Sequence, residues 1–253
     1  MLMKRTILFL SVLCVSCAGK MDIQTVDRMP VDSYNDYYVS NREPLQPQQF
    51  IKLPAGSIEP EGWIRKQLEL QKDGLCGHLG EISAWLQKEN NAWLTNGGEW
   101  GWEEVPYWLR GYGNMAYALK DERLLKETGY WIEAILAGQR EDGNFGPAYL
   151  NDGKQDFWPN MIVLWIMQSY YEYTGDSRVI DFMTRYCNFL LTVKDEDFLS
   201  SYWENSRGGD NLWSVVWLYN RTGDKSLLAL AGKIHRNTAD WTKSTQLPNW
   251  HNV

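Results

Sequence analysis

The residue types that could do chemistry gather in a few connectors. The first holds Glu99, Trp100, Trp102, Glu103 and Glu104. A second holds Glu141, Asp142, Asn144, Asp152 and Asp156, followed by Trp158. A third holds Trp203, Glu204, Arg207, Asp210 and Asn211, and Trp250 and His251 fall in what reads as a fourth. Carboxylates among indoles suit glycosidic chemistry, in which one carboxyl protonates the leaving oxygen while flat rings meet the C–H faces of sugars. The same residues have plainer uses. Asp156 and Asp210 stand where helix N-caps belong, and Asp142-Gly143 is a common turn pair, so capping and turn formation account better for these three. Glu103 and Glu104 both fall at a helix start, and pattern does not separate them. Glu204 is the strongest single candidate of the third connector, because Trp203 flanks it and Arg207 could pair with it or with an acidic sugar. A surface salt bridge is the alternative use of that pair. The candidate substrate-binding residues are therefore Glu103, Trp158, Trp203, Glu204, Arg207 and His251.

These connectors must be positioned by helices. Trp63, Ile64, Gln67, Leu68 and Leu70 suggest a first helix, interrupted at Gly74, Gly77 and Gly80 before an apolar piece from Ile82 to Leu86. His78, in this segment, reads as a packed or capped residue. Glu103-Glu104-Val105-Pro106 opens a helix with acidic residues and a proline in its first turn, and that helix stops at Lys120-Asp121. Its partner runs over 122–139. The next pair covers 156–173 and 178–193, with Thr174-Gly175-Asp176 between its helices and Cys187 on the core face of the second. Leu212, Val215, Val216 and Tyr219 carry the helical period of a third pair, continued after Thr222-Gly223-Asp224 by Leu227, Leu230, Ala231 and Ile234. The marker aspartates Asp121, Asp176 and Asp224 thus define a helical-hairpin repeat with tight turns at one end and long connectors at the other. No strand-like alternation separates the pairs. The fold class predicted is all-α: an (α/α)6 toroid of helical hairpins, of which this chain supplies about half the ring, as an N-terminal fragment.

Bulk properties narrow the partners. A net charge of -7 and 44% hydrophobic residues describe an acidic globular chain, a poor surface for nucleic acid. Lys4 and Arg5 precede an apolar run from Ile7 to Val15, too short to span a bilayer and shaped like a signal peptide. The run ends in Leu13-Cys14-Val15-Ser16-Cys17-Ala18-Gly19, which resembles a bacterial lipobox with Cys17 as the lipidated residue. The predicted organisation is a lipoprotein signal peptide over 1–17, a tether or N-terminal arm over 18–55, and a partial toroid domain over 56–253. A lipid anchor would hold the protein to the membrane of the bacterial envelope, facing the periplasm or the surface. Beyond Cys14 and Cys17, only Cys76 and Cys187 remain, too few for a disulfide framework or a structural zinc site.

Two runs carry a family resemblance: Trp63 through Leu79, reading WIRKQLELQKDGLCGHL, and Gly208 through Asp224, reading GGDNLWSVVWLYNRTGD. With the closing Trp250-His251-Asn252-Val253, they resemble the catalytic domain of glycoside hydrolase family 127, the β-L-arabinofuranosidase-like enzymes, over roughly residues 50–253. The resemblance implies an (α/α)6 barrel and retaining hydrolysis of L-arabinofuranosyl or related linkages in plant cell-wall polysaccharide. It also implies a cysteine nucleophile held by zinc, with neighbouring Cys and Glu ligands in the later part of the domain. Neither Cys76 nor Cys187 matches those residues, so the nucleophile is expected beyond Val253. Zinc is then expected only for the full-length domain, with none bound by residues of this chain, and the chain alone is expected to be inactive. His251 is similar to the histidine of the family's His-Gly-Val-Asn segment, with Asn252 in place of the glycine. Two other readings stand beside this one. One is a non-catalytic glycan-binding lipoprotein; the other is a different toroid enzyme, such as an unsaturated uronyl hydrolase, in which a loop aspartate like Asp142 acts without zinc.

Overall fold

The computed structural model describes residues 39–244, apart from 49, 96 and 148–154. Among these residues the protein is helical, with one isolated β-bridge between Asn91 and Trp100. Helices α1 (Gly62–Asp73) and α2 (Leu75–Ile82) come first, followed by a 3-10 turn at Ala84–Leu86. Three hairpins follow: α3 (Glu104–Leu119) with α4 (Glu122–Ala137), α5 (Trp158–Thr174) with α6 (Arg178–Thr192), and, after the short α7 (Tyr202–Ser206), α8 (Gly208–Thr222) with α9 (Ser226–Asn237). A last turn, α10, covers Trp241–Ser244.

The tight turns form the same way twice. Gly175 and Gly223 take left-handed backbone angles, φ 73° and 72°, and their N–H groups bond back to Tyr171 O and Tyr219 O. Thr174 and Thr222 hydroxyls accept from the N–H of Asp176 and Asp224. Each aspartate then accepts from the N–H two residues on, Arg178 or Ser226, starting the return helix. In the first hairpin Lys120 takes the left-handed position instead, and Asp121 caps α4 through Leu124 N. The Thr-Gly-Asp triplet therefore supplies a helix stop, a reversal and a helix start in three residues.

Helices α3, α5 and α8 pack side by side as an inner layer, with α4, α6 and α9 outside. They run parallel. At their N-terminal ends, residues bordering α3, α5 and α8 meet through Glu103, Trp158 and Arg207; at their C-terminal ends Tyr117 stacks on Tyr173 and Trp217 bonds Glu172. This is the all-α hairpin arrangement predicted from the repeat, consistent with a toroid, with three hairpins among the described residues. Helix α5 lies between two neighbours with α6 behind it, so most of its turns are buried and its apolar residues do not keep to one face. The outer α6 is amphipathic, burying Val179, Phe182, Met183, Tyr186, Cys187 and Leu190.

Three local expectations need correction, and one that holds has an unexpected setting. Helix α2 runs through Gly77 and Gly80, and the break falls at Gly74 alone. Gly77 is required because a Cβ there would stand 1.7 Å from Lys72 O. Helix α1 forms where predicted but buries none of its residues, and Trp63 is 76% exposed. The stretch 202–207, read as connector, contains α7. Asp210 lies inside the first turn of α8, whose cap position belongs to Arg207, so Asp210 is not the N-cap.

Residues 39–55 lie along the C-terminal ends of α5 and α8. Arg42 N donates to Asn220 Oδ1 at 2.9 Å and Tyr219 OH donates to Glu43 O. Glu172, whose side chain is nearly buried, accepts from Lys52 Nζ at 2.9 Å, Ala55 N at 3.2 Å and Trp217 Nε1 at 3.1 Å.

Candidate functional site

At the end where α3, α5 and α8 begin, four of the side chains singled out in the sequence meet. Glu103 precedes α3, and Trp158 opens α5 and donates its indole N–H to Glu103 Oε2 at 2.8 Å. The Arg207 guanidinium lies between two indoles, 4.4 Å from the Trp158 ring centre and 4.3 Å from that of Trp203. Tyr107, one turn along α3 from Glu103, meets Trp158 edge-on. The sequence had not singled out Tyr107.

Glu204 turns away from this group. It is 1% exposed, accepts from Phe157 N and from Ser201 N at 3.2 Å, and closes a capping box with Ser201 at the start of α7. Burial pushes its carboxyl up to about 7, against the pull of those two N–H donors, and the nearby charge of Asp156 adds to the rise. No Glu204–Arg207 ion pair forms, and the Glu204 carboxylate has no open face for a sugar. The expectation of a substrate contact there gives way to a joint between α7 and the start of α5. Asp156 accepts from Trp158 N at 2.9 Å and Asp142 from Asn144 N at 2.9 Å, so both make local turns. Asp142 sits in an exposed turn. His251, Trp250, Asp152 and Cys17 lie outside the described residues.

Below the mouth, a cavity of about 520 Å³ opens on the inner layer. Arg110 and Asn114 of α3, Trp165 and Gln168 of α5, and Asp210 and Trp213 of α8 line it, with Lys52 from the arm; no residue of α4, α6 or α9 does. The Arg110 guanidinium lies over Trp165, 3.8 Å from its ring centre, and the Trp165 indole N–H donates to Asp210 O at 3.3 Å. Gln168 Nε2 donates to Ser214 Oγ at 2.9 Å. Burial raises the Asp210 carboxyl, and the charges of Arg110 and Arg207 oppose the rise. Burial also raises the Tyr107 phenol; the charges of Glu103 and Asp210 add to the rise and those of Arg207 and Arg110 oppose it.

Sequence reading missed Arg110, Trp165, Gln168 and Trp213. A signal was present, since Glu103, Tyr107, Arg110 and Asn114 recur at helical spacing on α3 opposite its apolar stripe. Trp165 and Trp213 gave none, because an indole inside an apolar helix reads as core.

The zinc–thiolate centre of the resembled family does not fit the described residues. No group of three or more His, Cys, Asp or Glu side chains among them could hold a metal ion. Cys76 is exposed on α2, while Cys187 is buried among apolar side chains that push its thiol up to about 12, far from the thiolate a metal needs. Among the described residues, no helix is long and apolar enough to cross a membrane.

No curated protein and no solved structure matches the chain. A family profile does: that described as "Beta-L-arabinofuranosidase, GH127 catalytic domain" matches residues 31–253, beginning ahead of α1 and taking in the segment that straps α5 and α8. With its helical hairpins and a polar, indole-lined inner face, the chain belongs to the glycoside hydrolase family 127 catalytic domains.

Proposed function

We propose that the inner face of these hairpins binds a glycan, as part of a glycoside hydrolase that releases L-arabinofuranosyl or related sugars from plant cell-wall polysaccharide. The cavity carries this reading. Its volume suits a small oligosaccharide, and it combines an exposed indole, Trp213, with fixed polar groups from each inner helix. Trp213 is 51% exposed, an arrangement that costs solubility unless a ligand covers the ring. Rings of this kind meet sugar C–H faces, while Arg110, Asn114 and Asp210 offer donors and acceptors to hydroxyls.

Hydrolysis is a separate matter. Neither Cys76 nor Cys187 stands with ligands that would make it a nucleophile, so we propose that residues 1–253 bind without cleaving. Purified chain incubated with an aryl L-arabinofuranoside and zinc should release no L-arabinose above a heat-denatured control. Zinc-dependent release would overturn this part. We further infer that Cys17 is acylated and tethers the protein to the bacterial envelope, on the strength of the basic, apolar and Cys17-Ala18-Gly19 sequence. Metabolic labelling with a fatty acid should mark the wild-type chain and not Cys17→Ala; equal labelling of both would refute it.

A further inference from the structure

Arg110 and Arg207 differ from most of the described arginines, although Arg236 on α9 likewise has no side-chain hydrogen bond or ion pair among the described residues. Arg42, Arg123, Arg140 and Arg178 each donate to a carbonyl or carboxylate. Arg110 and Arg207 have no ion pair within 4.0 Å and no side-chain hydrogen bond among the described residues; each lies over indole instead, 3.8 Å from the Trp165 ring centre for Arg110 and 4.4 and 4.3 Å from those of Trp158 and Trp203 for Arg207. A guanidinium held over an aromatic face by its charge keeps its N–H groups available, and a planar carboxylate can take two of them through parallel bonds. Both stand on the inner face, one at the mouth and one in the cavity, and both act on Asp210.

We propose that Arg110 and Arg207 form a carboxylate-reading subsite, so that the glycan held in this bore includes an acidic, uronate-type sugar. This rests on the glycan-binding reading above. The nearby charges are compatible with it. Glu103 accepts from the Trp158 indole and keeps its charge, Lys52 is paired with Glu172, and burial favours the neutral form of Asp210, so the two guanidinium groups face two carboxyls of which one is disfavoured as an anion. The parallel α3, α5 and α8 also begin at this mouth, and their N-terminal dipole ends favour negative charge there. Asp210 is then placed to bond a sugar hydroxyl beside the carboxylate.

The test is calorimetric titration of the whole 253-residue chain with trigalacturonic acid, its neutral methyl ester, and a neutral arabino-oligosaccharide. The acid should bind about ten-fold tighter than the ester at low salt, and the preference should shrink at high salt. Arg110→Gln and Arg207→Gln should each reduce the preference, with far-UV circular dichroism unchanged. Arg207→Lys, which keeps charge without the planar fork, should recover only part of it. Equal affinity for acid and ester, or a preference that survives both Gln variants, would overturn the proposal. Binding of the neutral oligosaccharide with none of the acid would overturn it and leave the glycan-binding reading standing. Saturable binding of no probe would overturn both.

Discussion

Glu204 shows how one side chain can be noticed for the wrong reason. Its place between Trp203 and Arg207 suggested a ligand contact, but Ser201 and Glu204 also have the Ser-x-x-Glu spacing of a capping box, and that is the role the fold uses. Two backbone N–H groups depend on it, those of Phe157 and Ser201. Glu204→Ala should therefore destabilise the protein by roughly 2–3 kcal/mol, read from urea unfolding, because it orphans buried donors. The pH dependence follows from the raised folded-state pKa. The unfolded carboxyl titrates near its ordinary value of 4.5 and the folded one near 7, so the folded state binds the extra proton between them. Stability from this group is fully present below the unfolded value and is lost as pH rises through about 7. Glu204→Gln should flatten that part of the stability profile; an unchanged slope between the two values would refute the assignment. Glu103, Trp158, Trp203 and Arg207 were legible as a group because their types are odd for connectors. Arg110 and Trp165 were not, because their pairing depends on two helices distant in sequence coming side by side.

At the scale of elements, the hairpins were readable because Thr-Gly-Asp encodes stop, reversal and start through local hydrogen bonds. Helix α7 was not, since five residues cannot show a helical period, and only its capping box announces it. Local chemistry also predicts which glycines matter. Gly143 has φ 93°, and a Cβ there would stand 2.4 Å from the backbone oxygen of Arg185. Gly175 has φ 73° with open space around it. Gly175→Ala should cost about 1 kcal/mol from backbone strain alone, and Gly143→Ala should cost about 3 kcal/mol because α6 must also shift. Equal losses in chemical unfolding would show that contact with α6 is not what demands glycine at 143.

For the whole molecule, the arrangement of layers decides where a ligand can sit. The sequence placed the site in the long connectors, at the mouth of a ring. The structure extends it down the inner layer, where Arg110, Trp165 and Trp213 meet beneath that mouth. Ring geometry turns one face of each inner helix toward the bore, and that choice is invisible in any single helix's periodicity. The strap over 39–55 closes against the other end through Glu172, so Glu172→Ala should destabilise the chain by about 2–3 kcal/mol and raise amide exchange in 50–56. Unchanged exchange there would mean that the strap is held by its other contacts. The central claim, glycan binding by the inner face, is tested most directly by calorimetric titration of the purified chain with neutral and acidic plant cell-wall oligosaccharides, alongside Trp213→Ala. The account predicts saturable binding that weakens about ten-fold in the variant while the unfolding midpoint stays put. Absence of saturable binding, or the same affinity without the indole, would contradict it.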